Sequence, residues 1–150
     1  MRFTWIAAPV ASLALLAPLA SAQHAQVTCV AVNPSNATEV WVCNRDNASV
    51  SVVDTVGGVT TSEIGVGIRP RSLAFSSDGA RLFVANQRGN VPLGVNTSGG
   101  FSGSEIRGSI SVIDVATRQV TATLTGVGVE PYGLAVAPNG RWFAVTAFRS

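Results

Sequence analysis

An all-β chain is what the sequence predicts, on three observations. Short runs of alternating, β-branched character recur along it. Residue matches return at a fixed offset, and no segment beyond the N-terminal region carries helical periodicity. The composition is that of an ordinary folded chain: 150 residues, 47% hydrophobic and 12% charged, with 15 Gly and 7 Pro.

The N-terminus reads as a targeting segment. Met1-Arg2-Phe3-Thr4 carries one positive charge, an apolar run extends from Trp5 to Ala20, and Ala20-Ser21-Ala22 supplies the small-x-small pattern of a cleavage site. Residues 1–22 are therefore expected to be a cleaved signal peptide, with an uncleaved anchor as the alternative. Gln26-Val27-Thr28 ahead of Cys29 do not make a lipoprotein box, and no later stretch is apolar enough to cross a membrane. The expected product is residues 23–150, soluble and secreted or periplasmic.

A repeat organises those residues. Ile68 to Asn86 matches Val129 to Ala147, with Pro70 answering Pro131 and Gly79 answering Gly140. Ser49 to Asp54 returns as Ser109 to Asp114, and Val40 to Asn44 returns as Leu82 to Asn86. The last offset sets the period at about 42 residues, and the second copy carries an inserted, glycine-rich loop over residues 87–108. Within one period four strands are expected: Leu73–Phe75, Leu82–Ala85, Ser109–Ile113 and Val120–Leu124. Ser77-Asp78-Gly79 and Asn139-Gly140 mark tight turns between the first two, where Gly takes a positive φ. Tandem four-stranded units of this length predict β-propeller blades, a β-sandwich being the alternative. About two and a half to three blades fit. The propeller would be incomplete, its missing blades expected from a longer chain or from partner chains, because an open arc exposes strand edges.

These residues resemble the YVTN family of β-propeller repeats. The resemblance rests on Val40-Trp41-Val42-Cys43-Asn44 and Leu82-Phe83-Val84-Ala85-Asn86, on Val50–Asp54 and Ile110–Asp114, and on Gly67–Gly79 and Gly128–Gly140. Thr146-Ala147 in the last copy depart from it where Asn is usual, and the first hairpin, Val30 to Pro34, is degenerate. The resemblance implies that the proline-containing loops enter the innermost strands. Arg69 and Arg71 would then lie near a central channel.

Charge and motif content narrow the chemistry. A net charge of +2 excludes a polybasic nucleic-acid binder, and a single His, His24, excludes a His-dependent triad or a multi-His metal site within this chain. No nucleophile elbow, phosphate-binding loop or Cys-x-x-Cys occurs, so no catalytic residue, metal site or cofactor is assigned. Asp54, Asp78 and Asp114 fall at turns, where Asp bonds its own backbone.

In an antiparallel unit the connections after strands two and four emerge on one face. That rim gathers Arg69, Arg71, Glu130, Tyr132, Arg88 and Arg107 as the candidate ligand-binding residues, beside Arg45 and Asp46. Arg69 and Arg71 converging there would hold a carboxylate or phosphate bidentately, and the expected partner is a small anionic ligand or a protein. The alternative is that they pair with acids on neighbouring units. Phe101 and Ile106 could pack the inserted loop over the channel mouth, a surface excursion without a role being the alternative. Cys29 and Cys43 flank the first hairpin symmetrically, and in an oxidising compartment a disulfide between them is expected. Asn36, Asn47 and Asn96 fit the N-glycosylation pattern.

The function expected is an exported binding or interaction scaffold with its contacts on this rim. The alternative is part of a propeller enzyme, similar to lactonases or to quinoprotein amine dehydrogenases, whose catalytic residues lie in missing blades. A haem-binding propeller is weaker, since the units contain no His.

Overall fold

A computed structural model describes residues 27–89 and 107–149. The expected signal peptide at 1–22, Asn96, Phe101, Ile106 and most of the inserted loop 87–108 lie outside these residues. The described residues contain nine strands and no helix: β1 Val27–Asn33, β2 Asn36–Asn44, β3 Ser49–Asp54, β4 Val59–Gly65, β5 Pro70–Phe75, β6 Arg81–Asn86, β7 Arg107–Asp114, β8 Gln119–Val136 and β9 Phe143–Arg149. They form two antiparallel sheets in sequential order, β1-β2-β3-β4 and β5-β6-β7-β8-β9. Within each sheet, strands adjacent in sequence are adjacent in the sheet.

The repeat appears as repeated local chemistry. Asp54 accepts hydrogen bonds from the backbone N–H of Val56 and Gly57 at 3.1 and 3.0 Å, closing the β3–β4 turn. Asp114 closes the β7–β8 turn in the same way, accepting from Thr117 N–H at 2.8 Å. The residue that leaves each turn has a left-handed backbone, Gly58 at φ 64° and Arg118 at φ 56°. Further up, the Asn44 side-chain amide donates to Ser49 and Ser51 at 3.1 and 2.7 Å, and that of Asn86 to Ser109 and Ser111 at 3.2 and 2.9 Å. These amides tie the second strand of each unit to the third.

The core lies between the two sheets. Trp41 and Cys43 of β2, Val50 and Val52 of β3 and Ile64 of β4 face Leu73 of β5, Leu82 and Val84 of β6 and Ile113 of β7. The spacing by two residues puts these side chains on one face of each strand. Trp41 is fully buried and meets Phe75 edge-on, with ring centroids 5.9 Å apart at 86°. On the other face of β6, Phe83 packs on Phe143 of β9 at 5.1 Å, so β6 is covered on both sides.

Two expectations change here. The link expected between the fourth strand of the second unit and the next unit is not a loop: β8 runs unbroken from Gln119 to Val136. Its first part pairs with β7 and its second with β9, and Gly126 and Gly128, at φ 78° and 92°, let the strand change direction between them. The disulfide is not formed either: Cys29 and Cys43 are free thiols. The pairing of β1 with β2 keeps the symmetric register from Val30↔Val42 to Val32↔Val40, but shifts between Val27 and Val30, so Cys29 and Cys43 fall outside the regular ladder. Both pack into the apolar cluster between the sheets as hydrophobic side chains.

Candidate functional site

β5 and the second part of β8 begin alike. Arg69 and Glu130 precede the fully buried Pro70 and Pro131, and both have left-handed backbones, at φ 56° and 52°. A residue before proline is pushed towards extended backbone, so this conformation is doubly unfavourable, at about 1–3 kcal/mol. Around Arg69 the cost is offset by main-chain pairing. Gln87 N–H donates to Arg69 C=O at 3.0 Å, Arg88 N–H to Ile68 C=O at 3.1 Å and Ile68 N–H to Gly89 C=O at 2.7 Å. These bonds lock the segment entering β5 against the segment leaving β6, and with it Arg69 beside Arg88.

Two arginines held this way repel each other. Arg69 is half-buried, and burial followed by the charges of Arg88 and Arg45 weakens its hold on its proton, while Asp46 and Glu130 act the other way. It stays a cation, given the ordinary arginine range. Among the described residues its guanidinium makes no side-chain hydrogen bond or ion pair. Arg45 lies 3.8 Å from Asp46. Arg45, Arg69 and Arg88 thus outnumber Asp46 and Glu130 in one cluster, and the donors of Arg69 are unspent.

The other candidates separate from this cluster. Arg71 turns to Tyr132: its Nη2 donates to the Tyr132 hydroxyl at 2.5 Å, and its guanidinium carbon stands 4.3 Å from the ring centre. Arg107 is exposed at the start of β7 and is not among the charges that act on Arg69. The six candidates therefore divide into Arg69, Arg88 and Glu130, joined by Arg45 and Asp46, then the pair Arg71–Tyr132, then Arg107 by itself.

One polar centre escaped sequence reasoning. Glu39 of β2 accepts hydrogen bonds from Trp41 Nε1 at 2.7 Å and Asn33 Nδ2 at 2.9 Å through one oxygen, and from Arg118 at 3.0 Å through the other. The only sequence signal is Glu39 two residues before a core Trp, on the same face of the strand. The acids at the turns are absorbed by backbone. Ser76 and the N–H of Ala80 hold the Asp78 carboxyl below the usual range, and Thr117, through its N–H and then its hydroxyl, does the same for Asp114.

No protein-family model and no curated protein matches this chain. Among solved structures it is similar to the crystal structure of a functionally unknown protein from Desulfotomaculum acetoxidans DSM 771, with a TM-score of 0.61 at 19% identity. The match covers 81% of this chain and 35% of that one, so the chain spans about a third of the length of the structure it matches. At this identity the likeness concerns the fold alone.

Proposed function

We propose that this chain is part of an exported β-propeller, of the YVTN-resembling kind, that serves as a binding scaffold and takes an anion on the rim built from Arg45, Arg69 and Arg88. The observation that carries the reading is Arg69. A strained backbone, pinned by three main-chain hydrogen bonds, holds a half-buried guanidinium with unspent donors against two like charges. An anion bound between them would relieve that repulsion and supply charge-assisted acceptors. The propeller reading is supported by two sheets with the same turn and amide chemistry, and by the likeness to a longer chain, of which 35% is matched. Further blades, from the same chain or from partners, would cover the edge strand β9.

The test is calorimetric titration of the full chain with inorganic phosphate. Arg69→Gln with Arg88→Gln is expected to weaken binding at least tenfold while the unfolding midpoint stays within a few degrees. Superimposable isotherms, or a wild-type protein that binds no phosphate, would overturn the reading.

A further inference from the structure

Arg71 and Tyr132 sit 61 residues apart, at the same step of two consecutive units. Each stands at a register shift, between Pro70 and Ser72 against β6 and between Pro131 and Gly133 against β9. Thr28 lies at the matching shift of β1, between Val27 and Val30. Such shifts re-aim a side chain out of the regular pleat. Here the re-aimed groups reach from one unit to the next: Thr28 Oγ1 donates to Pro70 C=O at 2.7 Å, and Arg71 to the Tyr132 hydroxyl. The same position is thus used structurally in the first unit and carries a charged, hydrogen-bonding pair in the next two.

The pair has capacity left over. A guanidinium presents five N–H donors in one plane. Arg71 uses one on Tyr132, and no other described residue accepts from it. The Tyr132 hydroxyl, having accepted that bond, still has its own proton to donate, and Tyr132 is 53% exposed. The guanidinium is itself planar and its carbon lies over the Tyr132 ring while one N–H is spent on the hydroxyl, so its remaining N–H edge is presented beside that hydroxyl. A tetrahedral oxyanion suits the three-arginine cluster around Arg69 better. Two coplanar oxygens suit Arg71.

We infer that Arg71 and Tyr132 form a carboxylate subsite on this rim, the guanidinium edge binding both carboxylate oxygens and the Tyr132 hydroxyl adding a third hydrogen bond. The inference rests on the anion-binding reading of the rim and names the ligand class it selects. It is tested on the full chain by titration with benzoate and, separately, with inorganic phosphate. Arg71→Lys keeps the charge but removes the planar fork, and Tyr132→Phe keeps the ring but removes the hydroxyl. Benzoate affinity is expected to fall at least tenfold in Arg71→Lys and about fivefold in Tyr132→Phe, with phosphate affinity unchanged in both. Full benzoate affinity in Arg71→Lys would overturn the subsite, since a point charge would then suffice. So would parallel loss of both ligands in these variants. A wild-type protein that binds phosphate but not benzoate would overturn the subsite and leave the rim reading standing. One that binds neither would overturn both.

Discussion

Arg118, in the turn between β7 and β8, reaches across to the other sheet and binds Glu39 of β2, Nη2 to Oε2 at 3.0 Å. The same guanidinium donates to Thr61 of β4 at 3.1 Å. It thereby joins the second sheet to two strands of the first, at the end of the molecule where the Asp turns lie.

The two ends of this bridge differ in worth. Glu39→Ala strands three donors at once, from Trp41, Asn33 and Arg118, and is expected to cost about 2–3 kcal/mol. Arg118→Ala removes a partly exposed pair, worth about 1 kcal/mol at most, and leaves a non-glycine residue at φ 56°. Arg118→Gly loses the pair but relieves the backbone, a gain of similar size, and should unfold close to wild type. Urea midpoints should rank Arg118→Gly above Arg118→Ala, and Arg118→Ala above Glu39→Ala. An Arg118→Ala variant as unstable as Glu39→Ala would contradict the ranking.

Gly108 marks the tightest approach between the chain entering β7 and its neighbours. A Cβ built there overlaps the Pro131 ring and comes within 2.8 Å of Asn86 C=O. Neither can yield, because Pro131 and Asn86 are themselves fully buried. Gly108→Ala should therefore cost about 3 kcal/mol or more, as overpacking against rigid groups does. Gly65, at the end of β4, has nothing within 4 Å of the same added atom. Gly65→Ala should stay within about 0.5 kcal/mol of wild type. Equal unfolding midpoints for the two variants would show that the contact around Gly108 is slack.

How far the sequence could be read depended on what each feature needed. Strand positions followed from alternation and the repeat. Leu82–Ala85 lies inside β6 and Ser109–Ile113 inside β7, because successive side chains of a strand point to opposite faces, and Ser109 and Ser111 alternate with Ile110 and Val112 in the residue order. The turn aspartates were legible for the same local reason. What failed was whatever depended on one residue of register. The symmetric pairing around the first hairpin holds from Val30 to Val32, but the shift before Val30 takes Cys29 out of step with Cys43. The unbroken run of β8 was hidden by its glycines and Pro131, which read as loop residues until β7 and β9 are there to pair with. In the candidate site, the clustering of Arg69 with Arg88 follows from the hairpin. The pairing of Arg71 with Tyr132 does not, since it requires two units to lie side by side at one step of the repeat. Glu39 resembled any solvated acid on a strand.

Acid should loosen the turns. Asp78 is exposed and Asp114 half-buried, and hydrogen bonds hold their folded carboxyls below the usual range. A group whose folded value is depressed stabilises the fold above its unfolded value, near pH 4, and loses that contribution as pH falls through the folded value. Their contribution to the unfolding midpoint should therefore be full and independent of pH near neutrality, and decline below about pH 4. Asp78→Asn with Asp114→Asn should flatten that acid decline. An acid limb that superimposes on the wild type would show that the turn hydrogen bonds carry no linkage.

The two thiols should part company in reactivity. Cys43 is completely buried in the apolar cluster, and burial, followed by the nearby Cys29, pushes its thiol well above the ordinary range. Cys29 is half-buried at the register shift of β1, where the ladder is open. Only the thiolate attacks an electrophile, so reaction requires both deprotonation and access, and Cys43 lacks both in the native fold. At about pH 8, mass spectrometry after brief treatment with N-ethylmaleimide should show a single adduct on native protein, absent in Cys29→Ser. Unfolding in urea should add a second. Labelling of Cys43 at the rate of Cys29 would mean that β1 leaves β2 readily, and that the edge of the first sheet opens ahead of global unfolding.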